Sequence, residues 1–159
     1  MQELKVNLLA EGLRIVIVAS RFNEMIVDRL IEGASDTYRQ FGGSPDELLL
    51  TRVPGAFEIS TAVRQFAETE AYDAIVCLGA VIRGATSHYD HVCSAVTSGV
   101  AAVGADTGIP TIFGLLTTDT IEQAIERSGT KAGNHGRYAM QAAIETVSYT
   151  HLRAHETAT

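Results

Sequence analysis

Apolar positions along this chain follow two alternating periods. Near-continuous apolar runs at Leu13–Ala19, Leu48–Val53, Ala74–Leu78 and Pro110–Leu116 have the length and composition of strands covered on both faces. Between them apolar residues recur every three to five positions, which is the helical period. Ile26, Leu30, Ile31, Ala34, Tyr38 and Phe41 form one such stripe; Phe57, Ala62, Val63, Phe66 and Ala67 form a second; Tyr89, Val92, Cys93, Val96, Val100 and Val103 form a third. A shorter helix is predicted from cap candidates Thr117, Thr118 and Asp119 to about Arg127, and a last one from about Tyr138 through Ala139, Ala142, Ala143, Ile144 and Val147. The punctuation agrees. Asn23 stands where a helix needs a cap, Gly42-Gly43 where one must end, Pro54 where a strand must stop, and a glycine-rich break runs from Ser128 to Gly136.

Four strands, each followed by a helix at short spacing, imply a parallel sheet with right-handed crossovers and helices on both faces. The fold class predicted is α/β: a three-layer, flavodoxin-like α/β/α sandwich around a four-stranded parallel sheet. Leu4–Leu9 precedes the first unit and reads as an extended arm. Residues 1–147 read as a single domain. From Ser148 to Thr159 the apolar period is lost and two of the five histidines appear, so 148–159 is read as an atypical tail, frayed or foreign, and left out of the fold argument.

Composition narrows the function classes. The chain has 159 residues, 46% hydrophobic and 19% charged, as expected of one ordinary globule. A net charge of −7 gives no general attraction to nucleic acid or to an anionic membrane, so any anionic ligand must be held locally. No stretch approaches the roughly 20 apolar residues of a membrane span, and Met1–Val6 lacks a basic-then-apolar signal; a cytoplasmic location is expected. Cys77 lies mid-strand and Cys93 on a helical core position, so both read as free buried thiols, neither placed for catalysis.

Sheets of this kind bind ligands outside the carboxyl ends of their strands. That rule gathers Ser20–Asn23, Pro54–Glu58, Ala80–His88 and Phe113–Thr117 along one edge. They bring aromatic faces (Phe22, Phe57, Phe113), one acid (Glu58), glycines suited to close approach (Gly55, Gly84) and one titratable base (His88). The loop Arg83-Gly84-Ala85-Thr86-Ser87 leads straight into a helix, whose unpaired N–H groups and dipole favour an anion. The set suits a flat polar ring beside a small phosphate, with His88 moving protons. His88 and His91 lack a third partner for a metal, and Ala85-Thr86 stands where a nucleotide-binding loop needs Lys followed by Ser or Thr.

These residues carry a resemblance. Ser20-Arg-Phe-Asn23, Val53-Pro-Gly-Ala-Phe-Glu-Ile59, Leu78-Gly-Ala-Val-Ile-Arg-Gly-Ala-Thr-Ser-His-Tyr-Asp90, Phe113-Gly-Leu-Leu-Thr-Thr-Asp119 and Ile121–Asn134 stand in order as in the lumazine synthases, and the chain resembles that family from about Val6 to Val147. The resemblance implies a cofactor-free, metal-free transferase of riboflavin biosynthesis. It would condense 5-amino-6-(D-ribitylamino)uracil with 3,4-dihydroxy-2-butanone 4-phosphate to 6,7-dimethyl-8-ribityllumazine. By the same resemblance Phe22 would stack on the pyrimidine, Asn23 and Ala56-Phe57-Glu58 would contact the ribityl chain, and the backbone of Ala80, Val81 and Ile82 would read the ring's polar edge. Ala85 and Thr86 would cradle the phosphate with Arg127 as counter-charge, and His88 would be the catalytic proton carrier. Phe113 and Arg127 would come from a neighbouring subunit.

Self-association is therefore implied: pentamers in which the Leu4–Leu9 arm adds a strand to the next subunit's sheet, with association with riboflavin synthase a further partner expected from the resemblance. Shell-forming members of the family tend to have a short turn before the last helix and no proline in the arm; the short Gly129–Gly136 turn and the absence of proline before Pro45 resemble them, so the resemblance implies a sixty-subunit shell over a pentamer or decamer. Three positions depart from the pattern: Ser60 where proline is frequent, Ser87 where proline or threonine is usual, and His135 where lysine is common. Rival readings are a phosphoacceptor domain, which lacks its acids at Ser20-Arg21 and Gly79-Ala80, a non-catalytic flavin or ribityl-ligand carrier, and a shell protein with a vestigial site.

Overall fold

The computed structural model describes the backbone of residues 1–158 and the side chains of residues 1–151. Four strands, β1 (Ile15–Ser20), β2 (Leu49–Val53), β3 (Ala74–Ile82) and β4 (Thr111–Thr118), form one parallel sheet in the order β2-β1-β3-β4. The helices are α1 (Glu24–Gln40), α2 (Ile59–Glu68), α3 (His88–Thr107), α4 (Ile121–Glu126) and α5 (His135–Ala158). The expected three-layer flavodoxin-like α/β/α architecture is what the chain adopts.

The near-continuous apolar runs have the physical cause expected of them. Ile15, Ile17 and Ala19 of β1, with Ala74, Val76 and Leu78 of β3, pack in one core with Leu30 and Ala34 of α1 and Met140 and Ile144 of α5. Val16 and Val18, with Ile75 and Cys77, pack in the other with Val63 of α2 and Val96 and Val100 of α3. Every residue of β1 is buried, because successive side chains enter opposite cores. Burial of Cys77 pushes its thiol up to about 12, so that sulfur is no nucleophile at neutral pH, and Cys93 on α3 is likewise free.

Four local expectations differ from the structure. β3 does not end with its apolar run at Leu78 but runs on to Ile82, because β4 runs beside it as far as Thr118. The cap of α4 is Thr120 rather than one of the three residues before it; its hydroxyl accepts from the Gln123 N–H, and the Gln123 side chain accepts from the Thr120 N–H, a reciprocal capping box. The break after Arg127 is a small antiparallel hairpin, β5 (Ser128–Thr130) with β6 (Gly133–Asn134). Finally, α5 begins at His135 and its helical backbone continues to Ala158 through the segment read as frayed; the side chains of 152–158 and all of Thr159 lie outside the described residues.

The hairpin is held to α1 at very close range. The Asn134 side chain donates to the carbonyls of Arg29 and Ser128, and its oxygen accepts from the Arg137 N–H. A Cβ on Gly33 would overlap Asn134, and one on Gly136 would overlap the Leu30 carbonyl. No helix of the described residues is long and apolar enough to cross a membrane.

Candidate active site

The carboxyl ends of β1, β2 and β3 are stitched into one rim by hydrogen bonds between loops. Arg21 N–H donates to the Val53 carbonyl at 2.8 Å and Phe22 N–H to the Pro54 carbonyl at 3.3 Å, tying the first loop to the second. Asn23 ties the first loop to the third, its side-chain Nδ2 donating to the Ala80 carbonyl at 2.8 Å. Asn23 does occupy the N-cap of α1, but in the left-handed conformation (φ 62°), and its side chain makes no capping bond. The amide is spent on holding Ala80 instead, and the tolerance of asparagine for positive φ allows this.

β3 outruns its neighbour on one side. Its pairing with β1 ends at Leu78, while its pairing with β4 continues to Ile82. Ala80 faces the β1 side, since its carbonyl meets Asn23, and Arg83 N–H faces the β4 side, where it donates to the Thr118 carbonyl at 2.9 Å. Strand alternation then turns the peptide groups of Ile82 toward the β1 side and those of Val81 into the β4 ladder. Beyond Ala19 the peptide groups of Ile82 have no strand partner on the β1 side, while the Ala80 carbonyl there already accepts from Asn23. Of the three residues expected to read a ring through their backbone, Val81 is the one whose polar groups point away.

Two aromatic rings stand exposed at this crevice. Phe22 is 72% exposed and Phe57 60%, far more than large apolar side chains usually are when nothing covers them. Phe57 and Glu58 lie in a single 3₁₀ turn, Ala56–Glu58, that feeds α2; Ala56 is buried beneath it and Glu58 lies in the surface. A Cβ on Gly55 would sit 3.7 Å from a Glu58 carboxylate oxygen, and one on Gly84 would meet open space. Neither glycine is demanded by contacts within the folded chain, and above Gly84 the room is left to the outside. The tight glycine of this edge is Gly79, whose added Cβ would come within 2.8 Å of the buried Ser20 hydroxyl.

His88 is the first residue of α3 and is exposed. Its N–H reaches the Thr86 hydroxyl at 3.4 Å, and nothing among the described residues hydrogen-bonds its imidazole. Ala85, Thr86 and Ser87 are exposed, and their N–H groups find no acceptor among the described residues. Free amides ahead of a twenty-residue helix form a concave donor surface of the kind anions occupy.

Two sequence-predicted residues are not brought to this rim. Phe113 is the third residue of β4, opposite Cys77, five positions before the strand's end. At about 3.3 Å per residue that is about 16 Å below the edge, so the expectation that Phe113 shares the carboxyl edge fails within one chain. It packs against the α2–α3 core on the outermost strand, partly open to solvent. Arg127, just after α4, folds back on its own helix: its guanidinium donates to the Gln123 carbonyl at 3.0 Å and lies 3.7 Å from Glu126. This is the ordinary role of a cation at a helix C-terminus. His135 follows the hairpin, its N–H donating to the Arg127 carbonyl at 2.9 Å, and burial together with the Arg127 charge holds its imidazole below the usual histidine range.

A concavity of about 1260 Å³ lies elsewhere, between α1, the hairpin and the start of α5, and none of the sequence-predicted site residues lines it. Among the described residues no group of three carboxylate, imidazole or thiol side chains gathers as a metal would require. What the rim brings together is two exposed aromatic rings, the unpaired backbone of Ile82, an imidazole without a hydrogen-bond partner among the described residues and a donor-rich helix start. Residues 12–151 match the family described as 6,7-dimethyl-8-ribityllumazine synthase, a span that includes every element from β1 to α4, the hairpin, and α5 as far as His151. The chain therefore belongs to the lumazine synthase family of riboflavin biosynthesis.

Proposed function

We propose that this protein condenses 5-amino-6-(D-ribitylamino)uracil with 3,4-dihydroxy-2-butanone 4-phosphate, releasing phosphate and water and forming 6,7-dimethyl-8-ribityllumazine. The observation that carries the reading is the unpaired β1-side backbone of Ile82, next to the Asn23-held Ala80, on the rim that also bears the exposed rings of Phe22 and Phe57. A pyrimidinedione is flat and has donors and acceptors along its rim. It stacks on Phe22 while its edge bonds the peptide groups of Ala80 and Ile82, and its ribityl chain runs toward Ala56, Phe57 and Glu58. Asn23 contributes by holding Ala80 in place as well as by any contact of its own.

The phosphate of the second substrate sits on the N–H groups of Ala85 and Thr86 at the start of α3, which leaves its carbon chain next to His88. Imine formation, phosphate elimination and ring closure each need a proton taken from one atom and given to another, and an imidazole does both near neutrality. Holding the two reactants in one slot supplies much of the remaining acceleration. No step in this sequence changes oxidation state overall, so the reading needs no redox group.

Phe113 and Arg127 join the site from an adjoining copy. Phe113 is on the outer strand and Arg127 on the surface, where its weak pairing with Glu126 is easily exchanged for a phosphate. The opposite sheet edge also supports association: Leu49 and Leu50 of β2 are exposed, and Leu4 and Leu9 of the N-terminal arm are exposed with no regular structure of their own. An arm pairing with an adjoining copy's β2 would cover both sets, as a β-augmentation. A ring of five copies is the smallest assembly we propose, with the sixty-subunit shell built from it. The test is direct. Purified protein mixed with the two substrates should produce the lumazine chromophore and inorganic phosphate in equal amounts; binding of the pyrimidine without product would mean a ribityl-ligand carrier instead.

A further inference from the structure

Arg83 opens the loop that carries the proposed phosphate cradle and His88, yet none of the roles argued above uses its side chain. Its contacts are the densest of any cation at the rim. The main-chain N–H is fixed to the Thr118 carbonyl at 2.9 Å. The side-chain Nε donates to Asp119 at 2.9 Å, Nη1 donates to Asp90 at 3.3 Å, and the guanidinium plane lies 4.2 Å over the ring of Tyr89. Tyr89 and Asp90 are the two residues immediately after His88. One planar group therefore grips both ends of the Gly84–His88 segment and, through Asp119, the chain that leaves β4.

We propose that Arg83 is a positioning residue for this reaction: its guanidinium, clamped between Asp90, Asp119 and the Tyr89 ring, fixes the angle at which α3 starts and hence where the His88 imidazole stands. The inference rests on the proposed function for its kinetic consequence, but the clamp itself is a matter of geometry. Two carboxylates face one guanidinium, so Arg83 has no spare charge to offer a phosphate and is not a substrate ligand. Lysine cannot replace it, since a point-like ammonium lacks the fork that reaches two carboxylates while lying flat on a ring. Each exposed pair alone would be weak; three contacts on one rigid group share a single ordering cost.

The test uses the full chain with Arg83→Gln and Arg83→Lys, each alone and combined with Asp90→Asn, and reads kinetics and amide exchange separately. Amide exchange at Asp90 and His91, whose N–H groups bond the Ser87 carbonyl, should quicken in both single variants while the sheet stays protected. kcat should fall by about 10-fold, within the range expected when a reacting group is misplaced by a fraction of an ångström, with KM for either substrate changed less than about twofold. Adding Asp90→Asn should lower kcat little further, because the contact is already gone. A raised KM for the phosphate substrate at unchanged kcat would make Arg83 a ligand and overturn the proposal, as would unaltered exchange at Asp90 and His91. Should wild-type protein form no lumazine, the proposed function falls, and the exchange measurement still decides whether Arg83 holds the loop.

Discussion

At the scale of the residue, the roles assigned here separate by what each side chain touches. His88 presents an imidazole that nothing among the described residues hydrogen-bonds, whereas Arg127 already has the Gln123 carbonyl and Glu126 for company. On the proposed reading His88→Ala should lower kcat by at least about 10-fold and leave KM for the pyrimidine nearly unchanged, since general acid–base help is commonly worth about 10² or more. Arg127→Ala should first raise KM for the phosphate substrate, by about 10-fold, the usual weight of a charge-assisted bond lost from a binding step. Steady-state kinetics with each substrate varied in turn distinguishes the two.

His135 adds a pH dependence whose direction follows from its burial. Its folded-state imidazole protonates below the ordinary value near 6.5, because burial has removed the water that would solvate the charged ring and the Arg127 charge repels it. As pH falls below about 6.5 the unfolded chain takes up the proton first, so the stability this neutral imidazole contributes is complete above that pH and is lost as pH drops through the folded value. Denaturant midpoints measured from pH 7.5 down to pH 5 should fall, and His135→Gln should flatten the part of the slope nearest pH 6. At neutral pH the uncharged imidazole also supplies no cation, which leaves Arg127 as the charge on which the proposed phosphate site depends.

At the scale of the element, what could be read from the sequence was whatever depends on burial alone. Ile15–Ala19 and Ala74–Leu78 are apolar at every position because each strand faces two cores, and the helical stripes are apolar on the one face each helix buries. Elements set by contacts with a distant segment left no such trace. The last residues of β3 are a strand because β4 accompanies them, and Phe113 lies low on β4 because that strand is two residues longer at its end than its apolar run. The hairpin Ser128–Asn134 carries only a glycine signal, since its order comes from Asn134 reaching the Arg29 carbonyl on α1. The bond from Asn23 to Ala80 was equally hidden, although the residue type was marked for another purpose.

Close approach of backbones makes one of these contacts testable. Gly136, in the first turn of α5, lies against the Leu30 carbonyl of α1, and the obstacle to a Cβ is main chain rather than a side chain that could rotate away. Gly136→Ala should therefore destabilise the fold by about 1–3 kcal/mol despite the better helix propensity of alanine, as overpacking does. Chemical denaturation gives the figure; an equal or higher midpoint would mean that α1 and α5 can separate without loss.

At the scale of the whole molecule, the residues at the rim divide into a set that one chain assembles and a pair that it does not. Phe22, Asn23, Ala56–Glu58, Ala80, Ile82 and Ala85–His88 converge through the inter-loop bonds at Arg21, Phe22, Asn23 and Arg83. Phe113 and Arg127 lie off that rim on the far strand and the surface of α4, while Phe22 and Phe57 stand uncovered. On the proposed reading the exposed rings of one copy and the displaced Phe113 of another form the two halves of one site, and a head-to-tail contact that repeats around a ring would join each half to the next.

The central claim is thus that two copies complete one site, and mixing two defective variants tests it. His88→Ala and Arg127→Ala should each be impaired alone. Co-expressed in equal amounts and purified as mixed assemblies, they should regain about a quarter of the wild-type rate, because in a randomly filled ring about one contact in four pairs an intact His88 with an intact Arg127 from the next copy. A mixture no more active than the mean of the two parents would place both residues in one chain's site and contradict the account.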